Sequence, residues 1–245
     1  MGVKNNMNGE VVDNSIAIRN QTCAIKKQFV KNLGKTYSLG EEIANAITHG
    51  IGAGLSVAAL VLLIVKAATS SPKGMTGGYV VGYTVFGTSM FLLYLISTLY
   101  HALPPSRGKC VFARLDHSAI FLLIAGTYTA FCLGPIYGGT GWWIFGTIWG
   151  LAVVGIVAYC VYASRARIFT TVLYLVMGWF IVLVARQLCF AVPKISLIML
   201  VAGGLSYTLG VSFYIMKKQK WTHAIWHLFV LGGSILHFFS LYWAI

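Results

Sequence analysis

Two histidines, His223 and His227, stand four residues apart in "WTHAIWHLFVLGG", at the start of an apolar stretch. On a helix that spacing puts both imidazoles on one face, one turn apart. Two rings so placed can grip one metal ion. A third nitrogen is available from His101 in "STLYH", where Ser97 lies one turn deeper on the same face. Three neutral histidines with an open fourth position is the donor set of a catalytic zinc site. Imidazole suits zinc, and no thiolate is placed to compete. Asp116, in "LDHSAIF", is the carboxylate that could hold the metal's water or orient a histidine. The bland alternatives stay open. A histidine pair at this spacing also arises by chance, and a lone histidine at a helix end is often only an interfacial or hydrogen-bonded residue.

The elements that must position these residues follow from composition. The chain has 245 residues, 58% hydrophobic and only 9% charged, with a mean hydropathy of +0.79. Soluble domains carry about 25% charged residues. An all-α integral membrane protein is therefore expected. The net charge of +13 would suggest nucleic acid on a soluble domain. Here the basic residues punctuate apolar spans, so they set topology instead, and the partners expected are membrane lipids rather than nucleic acid. Five scattered cysteines with no CxxC pair read as small hydrophobes. No signal peptide is visible in the first 35 residues.

Residues 1–37 form a polar, basic tail. Within it Ile25, Phe29 and Leu33 recur every four residues among lysines, which suits a short helix on an anionic membrane surface. Residues 38–245 read as one transmembrane domain. Seven apolar spans are expected at 41–66, 77–100, 112–133, 142–163, 168–190, 195–216 and 221–244. Ser38 and Glu41 make a capping box for the first. With the N-terminus in the cytoplasm, fourteen of the eighteen basic residues fall inside; only Lys66, Lys73, Arg186 and Lys194 fall outside. The C-terminus then faces out.

This topology gathers the polar side chains. Glu42, Asn45 and His49 from span one, Ser97 and His101 from span two, Asp116 and His117 from span three, and His223 and His227 from span seven all reach one depth at the cytoplasmic end. Ionisable groups in membrane spans usually face the bundle interior and mark function. Glu42, Asn45, His49 and His117 are expected around the metal or in a cavity. His237 lies ten residues beyond His227, roughly 15 Å deeper. That is too far to share the ion, so it lines a cavity or bonds another helix. The glycines are expected to be close-packing positions, and the Gly50–Gly54 spacing adds little to that.

The four blocks "EEIANAITHGIG", "STLYH", "LDHSAIFLLIAGTYT" and "WTHAIWHLFVLGGSILHF", in that order, resemble the hemolysin III family. That family is the bacterial branch of the progestin and adiponectin receptor superfamily. The resemblance covers about residues 38–245. It implies a seven-helix bundle with its N-terminus inside, and a zinc ion near the cytoplasmic face held at His101, His223 and His227. It also matches Ser97 to the family's serine and Asp116 to the aspartate thought to hold the zinc water. The superfamily is similar to alkaline ceramidases, so hydrolysis of a lipid amide or ester is an implied chemistry. A cytolytic role, or a non-enzymatic sensor of membrane state with structural zinc, are the other readings. A bacterial plasma membrane is the expected location.

Overall fold

The computed structural model describes residues 37–216 and 219–245. The surface helix expected over residues 24–35 lies outside these. Among the described residues the secondary structure is helical throughout, with no strand. Helix α1 (Leu39–Ser70) starts on the expected capping box: Ser38 Oγ accepts from the Glu41 amide, and the Ser38 amide donates to Glu41 Oε2 at 2.9 Å. Its buried residues are Glu41, Asn45, His49, Gly52, Ser56, Ala59, Leu63 and Ala67. They recur every three or four residues, so one stripe faces inward, polar at its start and apolar further on. The opposite face exposes Ile43, Ile47, Ile51 and Leu55. In water that face would be a liability; in lipid it is the solvent-matched surface.

Helix α2 (Thr76–Ala102) ends where Pro104 and Pro105 deny the backbone further amides. Ser106 then caps α3 (Arg107–Leu133) by accepting from the Lys109 amide at 3.1 Å. Helices α1, α2 and α3 pack successively. The α2–α3 contact is close because Gly82 has no side chain: a Cβ there would sit 2.9 Å from Ala130 Cα. Small residues at the seam matter here, because lipid offers no hydrophobic drive for helix association.

Helix α4 (Gly139–Tyr162) leads through a 3₁₀ turn, Ala163–Ala166, into α5 (Arg167–Trp179). A second 3₁₀ segment, Phe180–Val184, joins α5 to α6 (Ala185–Ala191). The whole run, Gly139–Ala191, doubles back on itself. Gln187 Nε2 donates to Thr140 Oγ1 at 3.2 Å, and the Trp143 and Phe180 rings lie 5.7 Å apart. The span expected over 168–190 is thus two helices, not one. Tyr128 supplies a physical reason. Its hydroxyl donates to the Met177 carbonyl at 2.7 Å and lies 3.3 Å from that of Gly178, the carbonyls next in line for α-helical bonding.

Helix α7 (Lys194–Ile215) follows Pro193, and α8 (Thr222–Tyr242) packs along it and against α1. The chain therefore closes on its start. Among the described residues, six helical runs are long and apolar enough to cross a membrane, the Gly139–Ala191 run being one of them. This is a multi-pass, all-helical membrane protein.

Candidate metal centre

The N-terminus of α1 holds the N-terminus of α8. Glu41 Oε1 accepts from the Trp221 amide at 2.9 Å, and Trp221 sits at φ 65°, a left-handed conformation that turns the chain into α8. The next turns of α8 present His223 and His227, both buried. Their Nε2 atoms face each other at 3.2 Å. His101, from the last turn of α2, joins them: one nitrogen from each of the three rings lies within 4.8 Å of the others. The expected meeting of His101 with His223 and His227 is present.

The hydrogen bonds fix which nitrogen faces the centre. His227 Nδ1 lies 3.3 Å from the Asn45 carbonyl oxygen, with Thr48 Oγ1 at 3.5 Å. A carbonyl only accepts, so Nδ1 carries the proton and Nε2 keeps its lone pair. His101 Nδ1 lies 2.6 Å from Glu42 Oε2, and 3.4 Å from the Asn45 amide nitrogen. The carboxylate accepts a hydrogen bond from Nδ1–H, so the proton sits on Nδ1 and His101 Nε2 is a buried lone pair without a hydrogen-bond partner. An orphaned imidazole nitrogen beside two facing ones is a costly arrangement on its own. It suits a cation at their meeting point. Ligands 2.0–2.1 Å from a tetrahedral zinc lie about 3.3–3.4 Å apart, close to the spacing of His223 and His227. The residues present fit such a metal.

The surroundings are aromatic. Tyr37 stacks on His223 with ring centroids 4.7 Å apart and meets His101 edge-on at 5.6 Å. Burial pushes its phenol well above the usual tyrosine pKa, so it stays a neutral hydroxyl. His49 stacks on His227 at 3.6 Å, nearly parallel, and neither of its ring nitrogens has a hydrogen-bond partner. It flanks the centre without belonging to the three-nitrogen group.

Asp116 and Ser97 lie nearby. The fully buried Ser97 hydroxyl approaches the Asp116 carboxyl without reaching ordinary hydrogen-bond length. Asp116 is not one of the clustered ligands. His117 is tied elsewhere: its Nδ1 donates to the Ala113 carbonyl at 2.9 Å, its Nε2 accepts from Tyr214 at 3.2 Å, and its ring stacks on Tyr159. His237 is remote from the centre. It packs edge-on to Tyr207 and borders an apolar cavity of about 260 Å³ between α2, α3, the α5–α6 run, α7 and α8. The cavity reaches Trp226, the neighbour of His227 in the chain, but none of the three clustered histidines lines it.

Two residues at the site escape a sequence reading. Tyr37 reads as the end of the tail, and Lys109 as a topology charge. Yet Lys109 is only 2% exposed and its Nζ lies 2.7 Å from Glu42 Oε1. A lysine one turn after a serine cap, facing an acidic first turn on another helix, is the only hint the sequence holds.

Residues 37–238 match the family described as "Haemolysin-III related". "Hemolysin-3" of Bacillus cereus is 46% identical over 206 residues, covering 84% of this chain and 92% of the relative. "Hemolysin-3 homolog" of Bacillus subtilis (strain 168) is 45% identical over 205 residues, covering 84% and 94%. The human "Monocyte to macrophage differentiation factor" is 27% identical over 170 residues, covering 64% of this chain and 68% of its own, a distant likeness consistent with the wider superfamily. With its membrane helices and a family match that spans most of its length, the chain belongs to the haemolysin-III family of integral membrane proteins.

Proposed function

We propose that the chain is a zinc-dependent hydrolase of a lipid amide or ester, working at the cytoplasmic face of a bacterial plasma membrane. The observation that carries the reading is the meeting of three buried imidazole nitrogens from α2 and α8 within 4.8 Å. His101, His223 and His227 would hold the ion. When bound, zinc supplies Lewis acidity and an easily ionised water. Asp116 accepts the water's proton as a new C–O bond forms at the acyl carbon. The Ser97 hydroxyl donates to the developing oxyanion. The C–N or C–O bond to the leaving group then breaks, and Asp116 returns the proton to the departing amine or alkoxide. The products are a fatty acid and an amine or alcohol. The apolar cavity beside Trp226 gives an acyl chain room close to the histidines.

Seven crossings, with the N-terminus inside and the C-terminus out, fit this site. A straight helix of 53 residues would measure about 80 Å, far beyond a hydrocarbon core of about 30 Å. The Gln187–Thr140 bond supports two crossings in that run. An odd number brings His101, Asp116 and His223 to the side that holds most of the basic residues.

A second reading has its own support. Asp116 stands outside the histidine group, and the cavity stops short of it. A structural metal in a non-enzymatic membrane-state sensor would look the same. The names of the two Bacillus relatives point instead to cytolysis. The test is to offer zinc-loaded purified protein a panel of ceramide-like amides and acyl esters. The hydrolase reading expects fatty acid release that Asp116→Asn abolishes while zinc stays bound. No release across the panel, or release unchanged in Asp116→Asn, contradicts it. Haemolysis by purified protein that survives loss of the metal ligands would favour the cytolytic reading.

A further inference from the structure

Lys109 is an ammonium removed from water, which demands partners. It has three. Its Nζ lies 2.7 Å from Glu42 Oε1, donates to the Leu103 carbonyl at 2.9 Å, and sits 5.3 Å from the centre of the Tyr100 ring. Leu103 caps the C-terminus of α2, where the helix dipole is negative and a cation is welcome. Glu42 uses its other oxygen, Oε2, on His101 Nδ1 at 2.6 Å. One line of contacts thus runs from the end of α2, through a side chain of α3 and a side chain of α1, back to a histidine of α2.

We propose that Lys109 is a positioning residue for the metal centre. By holding Oε1 of Glu42 it commits Oε2 to His101, and so keeps His101 Nε2 turned toward His223 and His227. The inference rests on reading those histidines as a metal centre. The need for a clamp is physical. The Glu42 side chain is 16% exposed, so without the ammonium it can rotate toward water and leave His101 free to turn. A carboxylate with both oxygens engaged has one arrangement; a carboxylate with one engaged has several. Partners of this kind typically change metal affinity by about 10–100-fold when removed.

The test compares zinc affinity of the full-length protein in lipid nanodiscs, by competition with a chromophoric chelator. The wild type is set beside Lys109→Met, Glu42→Gln, the double variant and Lys109→Arg. Lys109→Met should bind about tenfold more weakly and Glu42→Gln about 10–100-fold more weakly. The double variant should be no weaker than Glu42→Gln alone, because Lys109 acts only through Glu42. Lys109→Arg, which keeps the charge and can still reach Glu42 Oε1 and the Leu103 carbonyl, should stay within about threefold of wild type. A merely structural lysine would give effects that multiply in the double variant, and that result overturns the proposal. So does zinc binding in Lys109→Met as tight as wild type, or tighter. Should Lys109→Met not fold, Lys109→Gln carries the same expectation, since its amide can serve the Leu103 carbonyl without bringing charge to Glu42. A wild type that binds no divalent metal overturns the metal reading as well, which separates the two failures.

Discussion

Gly52→Ala should destabilise the protein although it adds one methyl group. Gly52 lies on the buried stripe of α1, between His49 and Ser56. A Cβ there would stand 2.7 Å from Tyr94 Cδ1 and 2.9 Å from two more atoms of that ring. Carbon–carbon contacts settle at about 3.5–4.0 Å, so the ring must retreat by about 1 Å. It has little room: Tyr94 is 1% exposed and meets His49 edge-on at 5.0 Å. Its hydroxyl donates to Ser234 Oγ at 2.7 Å, and Ser234 is also bonded to Tyr207. Overpacking costs about 1–3 kcal/mol, and a weakened buried hydrogen bond adds about 1 kcal/mol. The total is about 2–4 kcal/mol, or a Tm lower by about 5–15 °C for a chain of this size. Gly54 is the control. It lies two residues away on the same helix, exposed, with nothing within 4 Å of an added Cβ. Gly54→Ala should keep or raise the Tm, since alanine improves an exposed helix position by about 0.5–1 kcal/mol. Thermal unfolding of the two variants in one detergent decides the matter. Equal Tm values for Gly52→Ala and wild type, or equal losses in both variants, would refute the packing argument.

Two further substitutions test the fold elsewhere. Ala163 opens the 3₁₀ turn after α4 at φ 47° and ψ −123°, a region that disfavours side chains. Ala163→Gly should relieve about 1 kcal/mol of strain and raise the Tm by a few degrees; a lower Tm would contradict the turn's geometry. His237 is buried with both ring nitrogens lacking hydrogen-bond partners. His237→Leu should therefore be neutral or stabilising by about 1–2 kcal/mol in the same assay, and a clear loss of stability would show that the imidazole is engaged.

The parts of the site legible in the sequence are those set by spacing along one helix and by where polar residues fall at helix ends. His223 and His227 share a face because helices repeat every 3.6 residues, and His101, in the last turn of α2, meets them at the start of α8. The capping box at Ser38 and Glu41 is legible for the same local reason. Contacts between helices are not. No pattern separates Gly52, pressed against Tyr94, from Gly54, which faces outward. Lys109 counts as one more basic residue until the structure turns it inward onto Glu42. His117 stands beside Asp116 on α3, but its side chain is turned to Tyr214 and Tyr159 instead of to the clustered histidines. The break after Trp179 has no proline to announce it; it follows from Tyr128 on another helix.

The most direct test of the metal centre is the metal content of purified protein, measured by mass spectrometry on wild type and single histidine variants. One zinc per chain is expected for wild type, and close to none for His101→Ala, His223→Ala and His227→Ala. His117→Ala, bonded away from the cluster, should keep its metal. A metal-free wild type, or a full complement retained in any of the three ligand variants, would contradict the account.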